Sequence, residues 1–242
     1  MIREDLSVGD KFKLLRDLGF DGVEVYASDR DELGQYESAS RKTGLPVHGV
    51  VNSSDPDIAS AVEMAARLGA DSVLVLAKEN PGRSYEDNFR DWQHLIQAAL
   101  PVAESRRVRL CVENVRATFL KRAEQMADFI DSFESPYVRS YYDTGNTITW
   151  TEQSAEHWAK TLGGRIWKVD VKDRGHAIFG DAKLASKTAV GTDGGEVNWR
   201  AVRRELEAIR YRGWATAEVV GGDRDHLARM AKWMNQVLGN PT

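Results

Sequence analysis

The chain has 242 residues, 33 basic and 37 acidic, for a formal net charge of -4. That length suits one (β/α)-barrel domain spanning 1–242, since a closed eight-stranded barrel typically needs about 250 residues. The acidic balance speaks against a nucleic-acid surface, no run reaches membrane-span length, and the opening residues MIREDLSVGD form no apolar signal core. The lone cysteine, Cys111, excludes an intrachain disulfide framework and makes a reducing, cytoplasmic compartment the expectation.

Ser7 is the predicted N-cap of a first helix over 7–19, which closes on Leu18-Gly19 with glycine in the left-handed position. Short β-branched runs and amphipathic stretches then alternate. The strand-like runs are GVEVYA (22–27), PVHGVVN (46–52), DSVLVLA (71–77), VRLCVENV (108–115), VRSYYDTGN (138–146), IWKVDVKD (166–173) and TAEVV (216–220). They begin roughly 25 to 50 residues apart, the spacing of βα units joined in parallel. Helical patterns fill the intervals, notably 57–70 and 85–105, and Leu68-Gly69 repeats the helix-ending signal. Trp92, Trp158, Trp199 and Trp233 fall in helical patterns and read as barrel–helix core or a subunit interface, which leaves a homo-oligomer open.

The predicted fold class is therefore α/β, a TIM-type barrel with seven visible strands and no first strand, because the six residues before Ser7 are too few and too polar to be a buried one. The expected consequence is a gap between the first and last visible strands, whose unpaired edges invite an added strand. A doubly wound open sheet is the competing architecture, but its site gathers at one switch point, whereas polar residues here end many strands.

Side chains alternate across a strand. This places Cys111 and Glu113, Tyr141 and Asp143, Lys168, Asp170 and Lys172, and Thr216 and Glu218 on the barrel interior, with Trp167, Val169 and Val171 facing the helices. Glu113, Asp143, Asp170 and Glu218 thus end four consecutive strands on one rim. Grouped carboxylates without a cation repel and raise one another's pKa, so a hard divalent ion held by oxygen is the functional reading; salt bridges to Lys168, Lys172 and arginines are the plainer one. Glu24 also faces inward, as a substrate contact or a barrel-floor salt bridge. His48 is either a substrate contact or a hydrogen-bonded core histidine. Asn114 anchors a neighbouring ligand or its own backbone, Asn146 orients a site group or, the better fit, makes a turn after Gly145, Lys172 meets a substrate hydroxyl or phosphate or neutralises an acid, and His176 reaches the mouth or, more simply, is a solvated loop residue.

ENV (113–115), YDTGN (142–146), VKD (171–173), GTDGGEVNW (191–199) and the late Glu218 together resemble the sugar phosphate isomerase/epimerase, or xylose-isomerase-like, barrel superfamily. The resemblance runs from Leu6 onward. It implies that the missing strand is the family's first and that the activity is isomerisation or epimerisation of a small carbohydrate. It also implies a metal site of Glu113, Asp143, the position held by Asp170, and Glu218, with the two glutamates as the proton-transfer pair. His48, Lys172, Glu24 and Asn114 are the candidate substrate-binding residues. Relatives carry histidine where this chain has Asp170, so the site becomes all-oxygen and suits Mg²⁺ or Mn²⁺. Four carboxylates around one divalent ion leave about two surplus negative charges, which Lys168 and Lys172 on the same face offset. A dehydratase on the same barrel, or a degenerate non-catalytic barrel, are the competing readings. Abasic-site endonuclease chemistry needs a histidine-rich three-metal cluster, and only five histidines occur, of which His94, His157 and His226 lie in helical patterns.

Overall fold

The computed structural model describes residues 2–174, 195–218 and 221–239. Its strands are β1 (Val23–Tyr26), β2 (Val47–Ser53), β3 (Ser72–Val75), β4 (Arg109–Glu113), β5 (Val138–Asp143), β6 (Ile166–Val171) and β7 (Trp214–Ala217). All neighbours pair in parallel, in the order β1-β2-β3-β4-β5-β6-β7. A strand order that follows the chain without reversal curls into a barrel. The doubly wound alternative would show a switch point.

Helices α1 (Val8–Asp17), α2 (Leu33–Thr43), α3 (Ile58–Leu68), α4 (Tyr85–Arg106), α5 (Ala123–Asp131), α6 (Thr144–Trp150), α7 (Ala155–Leu162), α8 (Trp199–Ala208) and α9 (Arg224–Leu238) complete the fold. The predicted signals operate as read. The Ser7 hydroxyl accepts from the Asp10 amide at 3.2 Å, and Gly19 and Gly69 adopt φ of 87° and 73°, a region where a side chain is strained. Trp92, Trp158, Trp199 and Trp233 are all buried. No helix among the described residues is long and apolar enough to cross a membrane.

The barrel is open where the sequence leaves it open. Among the described residues β1 and β7 are not paired with each other, and a cavity of about 960 Å³ is lined by Val23, Glu24 and Tyr26 on one side and Trp214 to Ala217 on the other. It runs outward past Leu15, Leu206 and Met234 and inward to Glu113, Asp170 and Glu218. Ahead of α1 the described chain makes one isolated parallel bridge, Ile2 with Gly222, and the Arg3 amide donates to the Gly222 carbonyl at 3.1 Å.

The barrel interior is layered. Leu74, Cys111 and Tyr141 form a small apolar cluster inside the sheet, distinct from the larger core between sheet and helices. Lys168, fully buried, lies beside His48, Glu24 and Asp71. Gly49 makes room for this group: a β-carbon there would collide with the Glu24 carboxylate and sit 2.7 Å from Lys168 Nζ. Trp167 departs from the expected helix-facing position. It packs against the interior cluster, donates to Asp71 at 3.2 Å and lies under the Arg109 guanidinium at 3.5 Å. A register shift at Ser140 and Tyr141, where β5 meets β6, breaks strict alternation at this point. Gly49→Ala should lower stability by about 1–3 kcal/mol through overpacking of the ion pair; urea unfolding monitored by tryptophan fluorescence measures it.

Candidate active site

Glu113 is the last residue of β4 and Asp143 the last of β5; Asp170 lies one short of the end of β6, and Glu218 follows β7 directly. The C-terminal ends of parallel barrel strands form one rim, and there the four acids each offer an oxygen within 4.8 Å of the others. Glu113, Asp143 and Asp170 are buried, whereas the Glu218 side chain is half exposed at 49%.

Neighbouring backbone and amides fix this arrangement. Asn114 clamps Asp143: its Nδ2 donates to the Asp143 carbonyl and its Oδ1 accepts from the Asp143 amide, both at 2.8 Å. That side chain is buried and occupied by backbone, so Asn114 anchors a neighbouring acid, one of the roles expected of it. Asp143 Oδ1 accepts from the Asn146 amide at 2.7 Å and caps α6. Asn146 takes the orienting role over the preferred turn reading: its Nδ2 donates to Glu113 Oε1 at 3.1 Å, and its Oδ1 accepts from Lys172 Nζ at 3.3 Å. The signal was in YDTGN, since an aspartate N-cap places the residue three further on over the same strand end. Thr144 Oγ1 donates to the Lys172 carbonyl at 2.7 Å and accepts its amide at 3.2 Å, a splice between β5 and β6 that the sequence did not reveal.

Lys172 reaches the cluster, with Nζ 2.8 Å from Glu218 Oε2 and 3.4 Å from Asp143 Oδ2. Lys168 does not offset these acids as anticipated; its ion pairs are with Glu24 at 3.5 Å and Asp71 at 3.1 Å, and it also donates to His48 Nδ1 at 2.9 Å. Glu24 additionally accepts from the Tyr141 hydroxyl at 2.9 Å, an arrangement that matches a barrel-floor salt bridge. His48 is the second residue of β2 and stacks on Trp214 with ring centroids 4.3 Å apart. Both Glu24 and His48 line the same cavity as Glu113 and Glu218. His176 and residues 191–194 lie outside the described residues. Gly195 and Asn198, at the end of that stretch, lead into α8, where Asn198 is the N-cap and Asp173 accepts the amides of Glu196 and Val197.

Burial, then the charge of Glu218, pushes the Glu113 carboxyl up to about 8. Asp143 and Asp170 are also raised well above the usual carboxylate range, both chiefly by burial. Burial opposes ionisation of Glu218 too, but a hydrogen bond from Asp143 and the Lys172 ammonium hold it below its ordinary value. Lys172 is raised despite its burial, by Asp143 and Glu218. Burial and Lys168 push His48 down to about 2, so its imidazole is neutral. The donor set suits a hard divalent cation: four carboxylates converge where an uncompensated group must hold protons.

A family model described as xylose isomerase-like TIM barrel matches residues 12–237. Among solved structures, the chain is similar to 3-keto-D-glucoside 4-epimerase YcjR from E. coli, with TM-score 0.78, 15% identity, and coverage of 98% of this chain and 96% of that one. It is similar to the IOLI protein with a bound zinc atom, at TM-score 0.75, 14% identity and coverage of 98% and 94%. It is also similar to the probable 3-DHS dehydratase AsbF from Bacillus anthracis, at TM-score 0.76, 13% identity and coverage of 96% and 95%. No curated protein matches the chain at a significant level.

Raised carboxyl pKa values favour the folded state at low pH. For Glu113 that contribution is complete below the unfolded value of 4.5 and is lost as pH rises through about 8. Chelator-treated protein should therefore show a melting temperature that declines from pH 5 to pH 8, and millimolar Mn²⁺ should flatten the decline. Differential scanning fluorimetry across that range checks both.

Proposed function

The chain belongs to the xylose isomerase-like TIM barrel family, and from that premise we propose that it isomerises or epimerises a small sugar or sugar phosphate by carboxylate proton transfer. The observation that carries this reading is the convergence of Glu113 and Glu218 with Asp143 and Asp170 within 4.8 Å at the mouth of one cavity. YcjR, a keto-sugar epimerase, shares the fold.

Glu113 and Glu218 end strands on opposite sides of Asp143 and Asp170 in the sheet order. A carbon acid seated between them meets one carboxylate oxygen able to take its proton and another able to return it, and return to the other face inverts the centre. Asn146 orients Glu113 and Lys172 orients Glu218, so each approaches the substrate in a fixed pose. Lys172, partly exposed, also presents its ammonium to a substrate hydroxyl or phosphate. Glu24 and His48 shape the floor beneath.

Glu113, Asp143, Asp170 and Glu218 would hold a divalent ion, Mg²⁺ or Mn²⁺ by the hardness of the donors. When bound, it supplies Lewis acidity toward the substrate's oxygens. The similarity to a probable dehydratase supports a second reading, in which the same proton abstraction is followed by loss of a hydroxyl. Products separate the two: an isomer keeps the substrate's mass, and a dehydrated product loses one water.

Incubation in deuterated buffer with a panel of ketoses and ketose phosphates tests the assignment. Glu113→Gln and Glu218→Gln should each reduce solvent-deuterium incorporation by at least about a thousandfold, the upper part of what one positioned acid or base contributes, with unchanged circular dichroism. Undiminished exchange in either variant removes that residue from the pair.

A further inference from the structure

Lys172 shares the mouth of the barrel with the four acids and touches two of them. Its Nζ is 2.8 Å from Glu218 and 3.4 Å from Asp143. Glu113 has Asn146 as its hydrogen-bond donor, and no ion pair among the described residues involves the Asp170 carboxylate. The charge compensation is therefore lopsided, confined to one half of the cluster.

The lysine is also built into place. Thr144 holds its backbone amide and carbonyl. Gly145 lies so close that a β-carbon there would sit 2.7 Å from Lys172 Cγ and 2.9 Å from its Cβ. A larger residue at 145 would push the lysine stem away from the acids. The ammonium is thus delivered to Asp143 and Glu218 by the β5–α6 junction.

We propose that Lys172 is a tethered counter-cation that holds Asp143 and Glu218 together in the ion-free protein and weakens divalent-ion binding at the same oxygens. The proposal rests on the reading of the four acids as an ion site. An incoming ion must draw on Asp143 and Glu218 oxygens that the ammonium already engages, and it meets a like charge as it does so. Cations about 5 Å apart repel strongly enough, even at the effective dielectric of a protein surface, to change affinity by on the order of tenfold or more. The site thereby avoids the repulsion of four bare carboxylates when empty, at the cost of tight ion binding.

The test titrates chelator-treated, full-length protein with MnCl₂ by calorimetry and follows thermal unfolding with and without Mn²⁺. Lys172→Met should bind Mn²⁺ about tenfold or more tightly than wild type. Its melting temperature should fall in chelator and recover at saturating Mn²⁺, while Lys172→Arg should behave as wild type. Lys172→Gln keeps a polar group beside Glu218 and provides the same comparison should the methionine variant not fold. Equal or weaker Mn²⁺ binding by the neutral variants overturns the proposal and leaves the ion site standing. So does a melting temperature lowered equally with and without Mn²⁺. Absence of Mn²⁺ binding in every form, wild type included, overturns the ion site and the proposal together.

Discussion

Mutual repulsion among four carboxylates at one buried rim is the constraint around which the rest of the site is arranged. Oxygens held within 4.8 Å of one another, three of them on buried residues, cannot all ionise without compensation. The surrounding structure supplies that compensation in pieces. Asn114 fixes the backbone of Asp143, an amide in the first turn of α6 donates to its side chain, Asn146 donates to Glu113, and Lys172 pairs with Glu218. These contacts hold the four acids in place but bring only one positive charge to them, which leaves a cavity that favours a cation.

Below that rim the barrel handles charge differently. Lys168 is fully buried but faces Glu24, Asp71 and the His48 ring, and Tyr141 donates to Glu24. Within this lower group the lysine is paired, and a buried charge with an ion-pair partner withstands its desolvation where a bare charge would not. The absence of a side chain at Gly49 is what lets ammonium and carboxylate meet across the barrel axis. Two layers of ionisable groups therefore coexist in one interior: a lower layer in which a buried lysine sits between two carboxylates, and an upper layer of four carboxylates facing the cavity mouth.

Much of this was legible in the sequence because it follows from periodicity. Parallel βα units, the caps at Ser7, Gly19 and Gly69, the open first position and the four rim acids all come from patterns of spacing and residue type. Alternation fails where the ladder is irregular. Trp167 turned inward at a register shift between β5 and β6, and no composition signal marks such a shift. Lys168 and Lys172 occupy the same strand face, yet four residues of rise, along β6 and just past its end, separate a floor salt bridge from a rim cation; a face assignment carries no depth. Asn114 and Asn146 each carried two readings in the sequence, because amide roles depend on which group lies opposite, and that is a tertiary fact.

The open side of the barrel bears directly on the site. β7 is a short edge strand bordering the cavity, all its residues are partly exposed, and Glu218 directly follows it. Glu113 sits in the middle of the sheet with neighbours on both sides. The two proposed proton-transfer groups thus stand in unlike environments. Glu113 is buried and oriented by an amide, and Glu218 is half exposed and held by a charged lysine. Desolvation favours the protonated form of Glu113, and the ammonium favours the carboxylate of Glu218. In the ion-free protein that inequality makes Glu218 the better base and Glu113 the better acid of the proposed pair. Protons exchanged with a substrate would then enter from Glu113, at the barrel's closed wall, and leave to Glu218, at its open edge.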